Sequence, residues 1–245
     1  MMRTGRAEAG KIAGIVFDKD GTLLDFDESW GPVNRKVALL ASAGDQALAD
    51  RMLLACGMDP ETGHIVPDSL LAVANTAEIA AGLIAAGSPL DLKTLVPEID
   101  NLFAEASGLS VPVTDLVALF SELKAAGLKL GIASSDNERS IRNIVSRFGI
   151  GEYVDYVAGY DSGHGTKPGP GMVLGFCRET GLDPAMVAVV GDSNHDMHMG
   201  LNAGVGLTVG VLSGTGSRAS LEEAADVCLD DVTELAELLG LRALA

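Results

Sequence analysis

Asp18 and Asp20 stand two residues apart in the stretch FDKDGTLLDFD (residues 17–27), directly behind the apolar run KIAGIVF (11–17). Three more polar clusters follow apolar runs further along: SSDN (134–137), GHGTKPGPG (163–171) and GDSNHD (191–196). An aspartate behind a strand is often only a turn or cap residue. Four such clusters, carrying carboxylates in two, a hydroxyl in one and a lysine in another, suit phosphoryl transfer instead. Asp18 and Asp192, brought together from neighbouring strands, would repel each other unless a cation sat between them. Mg²⁺ accepts a few carboxylates together with water and phosphate oxygens, so it is the expected cofactor. Asp18 is then the candidate nucleophile, forming an aspartyl-phosphate. Splitting hydrolysis in this way requires an acid for the leaving alcohol and a base for water; Asp20 is placed for both tasks. Gly21 lets the chain turn sharply and Thr22 is expected to fix that turn by a local hydrogen bond. Ser134 and the backbone around Ser135 supply donors for the phosphoryl oxygens, and Lys167 supplies a full charge. Asp196, four after Asp192, falls on the same side of a helix and is expected to hold metal-bound waters.

Such groups must be carried to one place. Short β-type runs recur at 11–17, 128–133, 153–158, 187–190, 205–209 and 226–229, with helical patterns between them. That alternation predicts an α/β fold, a doubly wound parallel sheet of Rossmann-like type whose ligands gather at the carboxyl ends of the strands. Asp136 is the expected N-cap of a helix stopped at Gly149, and Thr114 of one stopped at Gly127. Between Ser29 and Ser107 only helical periods occur, for example Val33, Val37 and Leu40, or Ile79, Leu83 and Ala86. Asn75 and Glu78 have the spacing of a capping box. Residues 29–107 are therefore expected to form an inserted helical cap, with 1–28 and 108–245 as the catalytic core.

The bulk properties narrow the partners. The 245 residues carry 17 basic and 34 acidic side chains, net −17. Such a chain repels nucleic acid and anionic membranes, so neither is expected as a partner. A small phosphorylated metabolite would also be repelled at long range; any anion site needs a local cation. Cys56, Cys177 and Cys228 form no CxxC pair, which fits a reducing cytoplasm rather than a disulfide framework. No apolar run reaches the roughly 18 to 20 residues of a membrane span, and the amino-terminal segment does not read as a signal peptide.

In combination, DKDGT, the serine after the second strand, the distant Lys167 and GDSNHD resemble the haloacid dehalogenase-like hydrolase superfamily, over residues 18 to 196. That resemblance implies Asp18 as nucleophile, Asp20 as acid/base, Ser134 and Lys167 at the phosphoryl group, and a Mg²⁺ held by Asp18, Asp192 and the backbone carbonyl of Asp20. An insertion between the first and second motifs is similar to the phosphoglycolate phosphatase-like branch, as is VGLTVGVLSGTG (205–216). The resemblance points to 2-phosphoglycolate as substrate. Asp20 argues against a haloalkanoate dehalogenase, which generally lacks that residue. P-type ATPases read DKTGT and need membrane helices, while phosphonate hydrolases carry alanine at this position. A sugar phosphomutase shares nearly the same core motifs and is the enzyme alternative; an inactive binding relative is the other.

Weaker features read more simply. His195 and His198 lack a third nitrogen or sulfur ligand and are expected as helix residues. His164 is expected to bond backbone, and Trp30 to anchor packing at the start of the cap. One of Arg51, Arg139, Arg142, Arg147 and Arg218 is expected to receive a substrate carboxylate or second phosphate.

Overall fold

A computed structural model describes residues 12–66, 69–106 and 110–241; the side chains of residues 27, 28 and 106 are outside that description. Six short parallel strands form one sheet: β1 (Gly14–Phe17), β2 (Lys129–Ala133), β3 (Tyr156–Ala158), β4 (Val187–Gly191), β5 (Leu207–Val211) and β6 (Val227–Leu229). Their order is β3-β2-β1-β4-β5-β6. The chain winds outward from β1 through β2 to β3, then crosses back and winds out through β4 to β6. Order reverses between β1 and β4, where a crevice opens at the strand ends. Phe17 pairs with Val190 there, and Asp18 N–H donates to Val190 O at 2.8 Å, so the residues just beyond both strands are held side by side. β1, β4 and β5 are fully buried, which is why they read as unbroken apolar runs without a polar alternation.

Five helices lie between β1 and the next core helix: α1 (Phe26–Ala41), α2 (Gln46–Cys56), α3 (Leu70–Val73), α4 (Thr76–Ala85) and α5 (Leu92–Ala106). They close on an apolar core of their own. Val33, Val37, Met52, Ile79, Leu83, Leu95 and Ile99 are all buried in one cluster, as the helical periods anticipated. The Asn75–Glu78 capping box is present. The two connections to the sheet run beside each other: Asp25 N–H donates to Val111 O at 2.8 Å, and Val111 N–H to Ser29 Oγ at 3.3 Å.

Helices α6 (Leu116–Ala125), α7 (Glu138–Arg147), α8 (Gly171–Thr180) and α9 (Asn194–Ala203) flank the sheet, and two single turns, α10 (Arg218–Leu221) and α11 (Leu235–Leu238), follow. Two caps differ from expectation by one residue. Asp115, not Thr114, accepts from Ala118 N–H and caps α6. Asn137, not Asp136, caps α7 through Ser140 N–H, because the Asp136 carboxylate is drawn to Lys19 at 3.2 Å and to Asn137 N–H at 2.7 Å. Gly149 and Gly127 stand in the left-handed region beyond the two helices, as read from the sequence.

The helical insertion is docked on the core by polar contacts around Asp100 of α5. Its carboxylate accepts from Thr76 Oγ1 at 2.8 Å within the insertion, and from Tyr160 OH at 2.9 Å and Asn137 Nδ2 at 3.1 Å across the gap. Arg139 adds bonds to Asp100 O and Asn101, and Arg147 to Ser110 O. No described helix is long and apolar enough to cross a membrane.

Candidate active site

The four clusters meet at the carboxyl edge of the sheet. Asp18 follows β1, Ser134 follows β2 and Asp192 follows β4, while Lys167 reaches in from the loop between β3 and α8. Lys167 Nζ lies 2.5 Å from Asp18 Oδ1 and 2.6 Å from Asp196 Oδ1, and all three side chains are buried. Asp192 Oδ2 accepts from Thr215 N–H at 2.7 Å and from Thr215 Oγ1 at 3.2 Å. Asp196 closes the first turn of α9, accepting from Ser193 Oγ at 2.6 Å and Ser193 N–H at 3.2 Å. Asp18, Asp192 and Asp196 each present one carboxylate oxygen within 4.8 Å of the others.

Three buried carboxylates around one ammonium leave an excess of negative charge. Burial, reinforced by Asp196 and Asp20, pushes the Asp18 carboxyl up to about 7 despite Lys167. Burial with Asp18 and Asp196 nearby raises Asp192 well above its ordinary value. Burial alone would lower Lys167, but the Asp18 and Asp196 carboxylates outweigh it and hold it above the usual lysine value. An all-oxygen donor set with unbalanced charge suits a hard divalent cation. The residues present thus fit a metal ion.

Asp20 goes elsewhere. Its carboxylate accepts from Trp30 Nε1 at 2.8 Å and pairs with Lys19 Nζ at 2.7 Å. Lys19 also pairs with Asp136 and lies 5.3 Å from the centre of the Trp30 ring. Of the residues expected at the metal, Asp18 and Asp192 bring their carboxylates together with Asp196; Asp20, expected there through its backbone carbonyl, has its side chain held beside the insertion. Asp196 stands beside the pair, within 4.8 Å of both. The sequence reading gave Lys19 and Thr215 no role. A lysine between two aspartates in a buried turn, and a second acid at a strand end with no obvious cation, were the available signals for Lys19.

Ser134 is buried, its Oγ accepting from Asp136 N–H at 3.1 Å. Ser135 reaches the insertion, donating to Val73 O at 3.3 Å. Gly21 adopts a φ of 77°, as the sharp turn required. Thr22 does not lock that turn; its buried Oγ1 finds no partner. The backbone closes the loop without it, through Gly21 N–H to Leu24 O and Leu23 N–H to Lys19 O. Glycines also crowd Asp192: a Cβ on Gly21 or Gly214 would fall 2.4 or 2.0 Å from its Oδ2, and one on Gly216 would fall 2.0 Å from its backbone oxygen.

The remaining candidates lie outside this cluster. His198 bonds Asn194 O on its own helix, and His164 stands against the Tyr156 ring. Trp30 packs edge-on to Phe103 at 4.8 Å, the anchoring role expected of it, and adds the tie to Asp20. Arg139 fastens the insertion through Asn101, Arg147 donates to Ser110 O beyond it, Arg142 pairs with Glu138, and Arg218 pairs with Asp230. None of these arginines, nor Arg51, lines the cleft between insertion and sheet, so the expected anion-receiving arginine is not found among them.

Comparison with known proteins agrees with this geometry. The chain is 28% identical over 196 residues to N-acetylmuramic acid 6-phosphate phosphatase of Pseudomonas aeruginosa, covering 79% of each protein. It is 27% identical over 233 residues to phosphoglycolate phosphatase of Neisseria gonorrhoeae, covering 94% of this chain and 89% of the relative. The solved structure of CbbY from Rhodobacter sphaeroides in complex with phosphate superposes with a TM-score of 0.69 at 20% identity, over 94% of this chain and 99% of that one. The family model described as haloacid dehalogenase-like hydrolase matches residues 12–204, from β1 through the helix that carries Asp196, and the chain belongs to that family.

Proposed function

We propose that this protein is a Mg²⁺-dependent phosphatase of a small phosphate monoester, working through an aspartyl-phosphate on Asp18. The observation that carries this reading is the convergence of Asp18, Asp192, Asp196 and Lys167 at the crevice between β1 and β4. Mg²⁺ bound by Asp18 and Asp192, with Asp196 beside them, would neutralise charge on the phosphoryl oxygens. An Asp18 carboxylate oxygen attacks phosphorus and the bond from phosphorus to the alcohol oxygen breaks. Asp20 delivers a proton to that departing oxygen, then takes one from the water that attacks the aspartyl-phosphate. One water is consumed; the alcohol and inorganic phosphate leave. Lys167 and Ser134 hold the phosphoryl oxygens during both steps.

Residues 29–107 are the cap in this reading, and 1–28 with 108–245 the core. The paired connections at Asp25–Ser29 and Val111 support a hinge there. Hydrolysis is favoured over a phosphomutase reaction because a bisphosphate needs a cation for its second phosphate, and no described cap residue lining the cleft is cationic. The intact carboxylates and lysine argue against an inactive relative.

Two measurements test this. Purified protein should release phosphate from p-nitrophenyl phosphate with Mg²⁺, lose at least about 100-fold of that rate in EDTA, and regain it on adding Mg²⁺. Equal rates in EDTA, or no release with Mg²⁺, would sink the reading. Asp100→Ala removes the acceptor shared by Tyr160, Asn137 and Thr76. It should raise KM about tenfold while lowering kcat far less, since the closed cap loses bonds that the chemical step does not use. Steady-state kinetics separates the two effects.

A further inference from the structure

A cleft opens between cap and sheet, and its two walls differ in kind. The core wall is acidic: Asp18, Asp192 and Asp196 lie around Lys167, the one cation among the described lining residues, while Asp20 and Asp136 are paired with Lys19 behind the wall. The cap wall is apolar: Trp30, Leu71, Val73, Ile79 and Phe103, continued by Phe26 of the adjoining connection. Among the described residues no lysine, arginine or histidine of the cap lines it. Residues 67, 68 and 107–109 are Pro, Asp, Ser, Gly and Leu, and add no cation by sequence. The backbone of the α3 segment offers no anion nest either. Ala72 and Val73 N–H donate to Ser69 O, and Ala74 N–H to Leu70 O. The cap's one uncommitted polar side chain here is Asn34, which is buried and lines the cleft, and its Nδ2 finds no acceptor.

An anionic group on the alcohol part of a substrate would have to sit against this wall. Burying a carboxylate there without a cation costs several kcal/mol, on the order of the whole gain from packing its carbon skeleton. A neutral group loses nothing of that kind, and one acceptor atom on it would satisfy Asn34.

We propose, resting on the phosphatase reading above, that the substrate is the monophosphate of an uncharged, largely apolar alcohol bearing a hydrogen-bond acceptor. Its organic body packs on Trp30, Phe103 and Ile79, and its acceptor meets Asn34 Nδ2. 2-Phosphoglycolate, the substrate implied by the family resemblance, carries the charge for which this cleft has no partner.

The test uses the full chain with Mg²⁺ and two pairs of esters that differ by one carboxylate charge, the first pair at nearly constant shape. These are 2-phosphoglycolate against phosphoglycolamide, and 4-carboxyphenyl phosphate against phenyl phosphate. In each pair kcat/KM for the neutral ester should exceed that of the anion by at least about tenfold. Asn34→Leu should lower the ratio of kcat/KM for phosphoglycolamide to that for phenyl phosphate about tenfold, because only the first offers an acceptor to the amide. Phosphoglycolate turned over as well as its amide would overturn the substrate class and leave the phosphatase reading standing. Phosphate released from none of the four would overturn both.

Discussion

Asp18→Asn is expected to abolish turnover, by at least about 10⁴-fold in kcat, and at the same time to raise the melting temperature of the metal-free protein above pH 7. The amide cannot attack phosphorus, and no other carboxylate stands on β1's end with the same partner. The stabilisation has a separate cause. Burial holds the Asp18 carboxyl at about 7 in the fold, against 3.8 for an unperturbed aspartate. The folded chain thus binds a proton that the unfolded chain releases, so stability falls as pH rises from 4 to 7. Asparagine removes that penalty. The gain should amount to a few degrees at pH 8 in EDTA and fade below pH 4, where both states carry the proton. Thermal melts at the two pH values, beside phosphate release, check both halves. A variant that still turns over at wild-type rates would exclude covalent catalysis by Asp18.

Lys167→Met has the opposite thermal sign. The ammonium is the direct partner of Asp18 and Asp196, and removing it leaves three buried carboxylates facing one another. Breaking a buried pair from one side costs about 3–5 kcal/mol, and the phosphoryl group loses its fixed cation. Activity should fall about 10³-fold, in the range seen when one transition-state donor is removed. Millimolar Mg²⁺ should recover much of the lost stability but little of the rate, because the ion offsets repulsion without replacing the lysine at its position. Melting with and without Mg²⁺ reads this difference. A variant as stable as wild type in EDTA would show that Lys167 is not what holds the carboxylates together.

The strands and the four motif clusters were legible because their signals are local. A buried parallel strand is an apolar run, and a polar cluster behind it marks the carboxyl edge. The cap was legible for the same reason, since its helical periods break the alternation of strand and helix. Both helix caps that shifted by one residue had two acceptors side by side; at α7 the distant Lys19 claims Asp136 and leaves the cap to Asn137. The parts that stayed hidden are set by contacts between remote segments. Lys19 at Asp136, Trp30 at Asp20, Thr215 at Asp192, and Asp100 between Tyr160 and Asn137 join residues that no spacing rule connects. The expected arginine failed on the same ground: each arginine is a plausible anion partner in isolation, and only the fold assigns Arg139 to fastening the cap and Arg147 to the Ser110 carbonyl.

The glycines packed on Asp192 bear on how this scaffold can diversify. Any side chain at Gly21, Gly214 or Gly216 would collide with that residue and dislodge a buried acid of the cluster. The floor of the cavity is thereby closed to variation. New selectivity has to be written on the opposite wall, where Asn34, Leu71 and Ile79 can be exchanged without disturbing the reacting centre.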